Sequence, residues 1–211
     1  MTRTPDPRPD EAILEGLRSA FPAEKREPAL GYPAVEAWEA ANGVTLPEPY
    51  RSFVAEISNG SGPGPLDGGL QPLGELPACW SGAEPRRPDA EFPLEAEWIW
   101  EDAESVDDDE DARIDAVFSD GSVVLSAQDT QSFWLLVTTG PQRGRVWLVA
   151  DVGASPVPER RARGIRGVGT GQAGRLTVRR RGGHGPLRRR RAPAGRGGAG
   201  ASGCGPRGRP G

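Results

Sequence analysis

Between Val35 and Leu73 the chain carries two apolar stripes at helical spacing, each closed by Asn-Gly and separated by a few residues. In the second stripe Tyr50, Phe53, Val54 and Ile57 fall at i, i+3, i+4 and i+7, which makes one face of a short helix. Pro47 sits just ahead of it, where a helix can begin without losing a hydrogen bond, and Asn59-Gly60 stops it because those residues reach the left-handed conformation that a helix end needs. The first stripe, in Pro33 to Ala41, turns Val35 and Trp38 inward and ends at Asn42-Gly43. Two short helices so closely linked must pack as a corner. A glycine- and proline-rich run, Ser61 to Gly69, then leads into the short apolar segment Leu70 to Leu73.

The flanks follow from the same rules. Residues 1–9 are proline-rich and are expected to be disordered, and Pro9-Asp10-Glu11 opens a helix whose stripe is Ile13, Leu14, Leu17 and Phe21, ended by Pro22. Glu75 to Pro93 is polar and proline-bearing, with Trp80 expected to anchor it to the core. Glu97 to Trp100 predicts a strand with Trp98 and Trp100 on one face. The acidic run Glu101 to Asp111 repels itself and has little to bury, which predicts a solvated loop. Ala112 to Phe118 places Ile114, Ala116 and Phe118 on one face of a strand, and Ser119-Asp120-Gly121-Ser122 is a hairpin turn of the Asp-Gly kind. Val123 to Leu125, Phe133 to Thr139 and Arg145 to Ala150 complete an antiparallel meander. Helices first and strands after predict an α+β domain over residues 10–151, an antiparallel meander sheet flanked by N-terminal helices that cover one side.

Charge divides the chain in two. Through Asp151 there are 11 Lys and Arg against 29 Asp and Glu, a net −18; beyond it 15 Arg face Glu159 alone, a net +14. The body is acidic and the tail strongly basic, so the overall balance says nothing about partners. Met1 to Pro7 has no apolar core of signal-peptide length and no long apolar run follows, which predicts a soluble cytoplasmic protein without membrane contact. Cys79 and Cys204 are far apart in dissimilar contexts and support neither a disulfide framework nor a zinc site.

Enzyme chemistry finds little to work with. His184 is the single histidine and lies in the tail, so no base is placed for a nucleophile. Asp107, Asp108, Asp109 and Asp111 lack the spacing and distal glutamate of a calcium loop, and Asn59 to Gly69 lacks the Gly-Lys-Ser/Thr ending of a phosphate loop. No catalytic, cofactor or metal residue is expected. Trp98, Trp100, Trp134 and Trp147 are each better placed in the core, with one or two left over as an interaction anchor.

The ordered set Trp38, Asn42-Gly43, Leu46-Pro47, Tyr50, Phe53, Asn59-Gly60, Gly62-Pro63, Gly69-Leu70 and Pro72-Leu73 resembles the start of the SUKH superfamily, which includes fungal cell-wall-assembly regulators and many bacterial immunity proteins. Val137-Thr138-Thr139-Gly140-Pro141 with Arg143-Gly144 and Val146-Trp147 is similar to the ending of the bacterial members, so the likeness spans about residues 30–151. One extra threonine and the absence of a glycine-cysteine pair near Gln128 to Ser132 depart from that pattern, and the aromatic closing helix of the family is missing. The resemblance implies a curved sheet flanked by helices and a non-catalytic protein that binds a partner toxin, a nuclease or deaminase, with no cofactor. Structural motif positions would be Trp38, Gly43, Leu46, Pro47, Tyr50, Phe53, Asn59, Gly60, Gly69 and Trp147. Partner contacts are expected at Trp98, Trp100, Asp107, Asp108, Asp109 and Asp111. A regulatory scaffold of the fungal kind is the alternative, and the oligomeric state is left open.

Residues 152–211 are expected to form a disordered tail. From Glu159 onward Arg, Gly, Ala and Pro supply 41 of 53 residues, and no Phe, Tyr or Trp follows Trp147. These four residues share GC-rich codons, which predicts a frameshift near Glu159; translating the other two frames of the locus tests it, and an amphipathic helix bearing tryptophan is the expected find. The rival reading has Arg160 to Arg191 bind nucleic acid through phosphates, without aromatic side chains to stack on bases.

Overall fold

The computed structural model describes residues 4–63, 66, 68–80, 85–100 and 108–157. Its architecture is α+β, an antiparallel meander sheet with the helices of the N-terminal part packed on it. The expectations for the tail beyond Val157, and for Asp107, lie outside the described residues.

Helix α1, Glu11–Ala20, buries Leu14 and Leu17 and hands over to Phe21, whose ring meets Phe53 at 4.9 Å. Helix α2, Tyr32–Ala41, closes where Asn42 returns its side-chain amide to the Trp38 carbonyl at 2.8 Å. Helix α3 runs Tyr50–Glu56, with Tyr50, Phe53, Val54 and Ile57 buried as their spacing predicts. It starts later than Pro47 because Glu48 precedes a proline, and such a residue avoids the helical region. The Glu48 carboxylate instead accepts from the Ser52 N–H and hydroxyl, each at 3.0 Å. Gly43, Gly60 and Gly69 hold φ of +65°, +113° and +77°, and a Cβ at Gly69 would lie 2.4 Å from the Ser61 carbonyl oxygen. Glycine is what lets the chain turn from the helical corner onto the sheet there.

A buried ion pair ties the corner together. Glu39 of α2 and Arg51 of α3 are 6% and 7% exposed, and Arg51 Nε donates to Glu39 Oε1 at 3.0 Å while that oxygen also accepts the Leu46 N–H at 2.8 Å. Glu39 occupies the i+4 position of the stripe begun by Val35, where an apolar residue would ordinarily stand.

Among the described residues the sheet has five strands: β1 (Trp98–Ile99), β2 (Ser122–Ala127), β3 (Ser132–Val137), β4 (Val146–Ala150) and β5 (Gly153–Pro156), in spatial order β1-β5-β4-β3-β2 and antiparallel at each step. Both of its faces are buried. Val123, Leu125, Leu136 and Val146 join the core of α1 to α3, whereas Val124, Phe133, Leu135, Val137, Trp147, Val149 and Ala154 form a second core with Phe92, Leu94, Trp100 and Val117. A one-sided sheet, as the sequence suggested, would alternate apolar and polar residues; β3 is a nearly continuous apolar run because each side has its own cover.

Further expectations are corrected. Ala112 to Phe118 is not a strand: helix α4 spans Asp108–Ser119, with Val117 buried and Ile114 and Phe118 packed against the second core. Ser119 to Ser122 is accordingly a helix-to-strand turn, in which the Asp120 N–H donates to the Ala116 carbonyl at 2.8 Å and Gly121 takes φ +59°. The acidic run is not a loop throughout, since Asp108 to Asp111 are the first turn of that helix, where carboxylates are favoured by the helix dipole. Strand β5 lies past the boundary drawn at Asp151, so the folded body includes residues through Val157 at least. At the other end, Thr4 to Pro9 is tied to the body, Asp6 to Arg143 and Arg8 to Glu56.

Candidate protein-binding surface

Of the described residues expected to meet a partner, Trp98 and Trp100 lie at the edge of the sheet formed by β1, and Asp108, Asp109 and Asp111 lie in the first turn of α4. Period-two alternation puts Trp98 and Trp100 on one face, and their rings meet edge to face at 5.1 Å. Trp100 is core: it is 6% exposed, its indole N–H donates to the Asp151 carbonyl, and its ring lies 6.5 Å from Phe118. Trp98 is half-buried and carries the Arg113 guanidinium 4.5 Å above its ring. Between them Ile99 points the other way and is 48% exposed, with Val152 at 37% across the β4–β5 turn.

The acidic residues divide by helical geometry. Asp109 and Arg113 are four apart, so they share one flank of α4, the flank that meets Trp98. Asp111 and Asp115, likewise four apart, lie on the opposite flank, and all three aspartates are exposed. The structure therefore brings Asp109 to the tryptophan edge, separates Asp111 from it, and places Asp108 at the start of the helix. Arg113, Ile99 and Val152 were missed by sequence reasoning. The signal for Arg113 was its i+4 spacing from Asp109, legible once the segment is read as a helix.

The motif positions are structural. Trp147 is fully buried against Phe92 at 5.2 Å, Leu46 and Phe53 are core, and Asn59 Oδ1 accepts the Leu73 N–H at 2.8 Å to pin the segment that enters the sheet. Trp38 is half-buried, and the chain crosses it closely at Gly74, where a Cβ would stand 2.6 Å from its indole nitrogen. Trp80 holds its loop as expected, its ring 4.6 Å from Phe133 and stacked by Arg86 at 4.9 Å. Cys79 Sγ lies 3.6 Å from the Asp129 carbonyl oxygen.

A second polar cluster sits at the helical corner. Ser52 is wholly buried and donates to Glu48, so its hydroxyl is closed to any substrate atom. Burial pushes the Glu48 carboxyl up, and burial together with a hydrogen bond to Glu56 raises the Tyr32 hydroxyl. Glu56 is held down to about 2 by the Arg8 guanidinium, against the opposing cost of burial. No group of three or more metal-ligating side chains occurs among the described residues, and no helix there is long and apolar enough to cross a membrane. Comparison with protein-family models, with curated proteins and with solved structures found no match.

Proposed function

We propose that this chain is a non-catalytic binding domain of the SUKH kind, an immunity protein that neutralises a basic nuclease or deaminase toxin by covering its nucleic-acid-binding face. The observation that supports this reading best is the β1 edge, where exposed Ile99 and half-buried Trp98 are bordered by Asp109 on a body of net charge −18. An apolar anchor with an acidic border suits a partner whose own surface is basic, because opposite potentials steer encounter and the desolvated anchor sets the dissociation rate. The test takes any toxin-like domain encoded beside this gene, co-expressed and captured with the full chain. Binding by one of them, lowered about tenfold or more by Ile99→Asp with the melting temperature unchanged, is the expected result. Failure of every neighbouring toxin domain to bind overturns the proposal.

A further inference from the structure

The N-terminal arm is built as a ligand. Prolines at 5, 7 and 9 alternate with Asp6 and Arg8, which keeps the segment extended and lowers the entropy lost when it is fixed. Its two charged residues each meet a distant counter-charge: Arg8 grips Glu56 with two bonds of 2.8 Å, and Asp6 pairs with Arg143.

The receiving groups are fixed by other parts of the domain. Arg143, in the β3–β4 turn, donates to the carbonyls of Thr45 and Leu46 at 3.1 and 3.2 Å, and Glu56 accepts from the Tyr32 hydroxyl at 2.6 Å. The Arg143 side chain is 11% exposed, and a guanidinium this deep requires an anion. Arg8, by contrast, is 48% exposed. Asp6 is 27% exposed, so of the two pairs that hold the arm the one between Arg8 and Glu56 is the more open to weakening by water and salt.

We propose that the Arg143 and Glu56 socket is a docking site for an extended, proline-stiffened segment of a partner protein carrying aspartate and arginine two residues apart. The chain's own arm occupies the socket until such a segment displaces it. The spacing and sign of the socket charges define the partner's chemistry, and the arm shows that a segment of that chemistry fits. This surface is distinct from the β1 edge, and the inference does not depend on toxin binding.

The test uses the full chain, the same chain with Asp6→Asn and Arg8→Gln to release the arm, and a synthetic peptide of sequence Thr-Pro-Asp-Pro-Arg-Pro-Asp. Binding is read from nuclear magnetic resonance shifts of the Tyr32, Glu56 and Arg143 amides. For a peptide affinity of about 0.1 mM the released chain is expected to saturate about tenfold more tightly than the native one, because an arm competing in cis acts at an effective concentration of about a millimolar. Adding Glu56→Gln should abolish the shifts, with Arg143→Gln as the second variant should the first fail to fold. A peptide with Asn and Gln in place of its charged pair should leave the shifts unmoved. Equal affinity for native and released chains, no saturable shift in the released chain, or equal binding of the neutral peptide overturns the proposal. Concentration-dependent dimers of the native chain that vanish on releasing the arm would make a second copy the occupant, and overturn it as well.

Discussion

Arg51 and Glu39 carry opposite charges into a place where neither is stable alone. Removing one partner leaves the other buried and unpaired, so Arg51→Met should cost about 3 to 5 kcal/mol in urea unfolding. Replacing both, Arg51→Met with Glu39→Leu, should recover part of that loss and not all of it. The Leu46 N–H then loses its acceptor, at a cost of about 1 to 3 kcal/mol. Glu56 supplies the pH dependence at this scale. Its carboxyl is lowered from 4.5 to about 2, so its contribution is fully present above the unfolded value and is lost as pH falls from there toward 2. The native chain should therefore exceed Glu56→Gln in stability at neutral pH, with the gap closing between about pH 4.5 and pH 2 in acid titrations followed by circular dichroism.

Helix α4 shows how an element can be misread from sequence. Ile114, Ala116 and Phe118 satisfy a period of two, yet Ile114, Val117 and Phe118 satisfy i, i+3 and i+4 equally well, and a short apolar run does not choose between them. The second core decides, because Val117 has a place to be buried. The acidic run misled for a related reason: like charges repel in any conformation, but at a helix start they are also attracted to the unsatisfied N–H groups. Asp109→Lys should consequently destabilise the protein by about 0.3 to 1 kcal/mol in thermal melts at low salt, whereas a solvated loop would gain from losing a like charge. The helices α1 to α3 and the strands β3 and β4 were legible because their apolar positions are long, regular and bounded by proline or glycine. Strand β5 was not, since Gly153, Ala154, Ser155 and Pro156 have little intrinsic preference for a strand and are extended because β4 and β1 pair with them. Of the candidate surface, Trp98 was legible; the burial of Trp100 and the cation over Trp98 depend on α4, which the sequence did not reveal.

At the scale of the molecule, β1 reaches the sheet by way of β5. Trp98 pairs with Ala154 and Ile99 with Gly153, so the β1 edge has its sheet hydrogen bonds to β5. A fragment of residues 1–157 should melt cooperatively. One ending at Asp151 should melt at least about 4 °C lower and show Trp98 and Trp100 fluorescence shifted toward that of solvated indole. If both fragments behave alike, β5 is not what holds β1.

The same pairing gives the surface a timetable. A chain made from its N-terminus produces α1 to α4 and three strands of the meander, β2 to β4, before Gly153 has been added. The β1 edge is thus completed only after β2 to β4 have been made, and a nascent chain halted before Gly153 has no sheet rung for Trp98 and Ile99 to pair with.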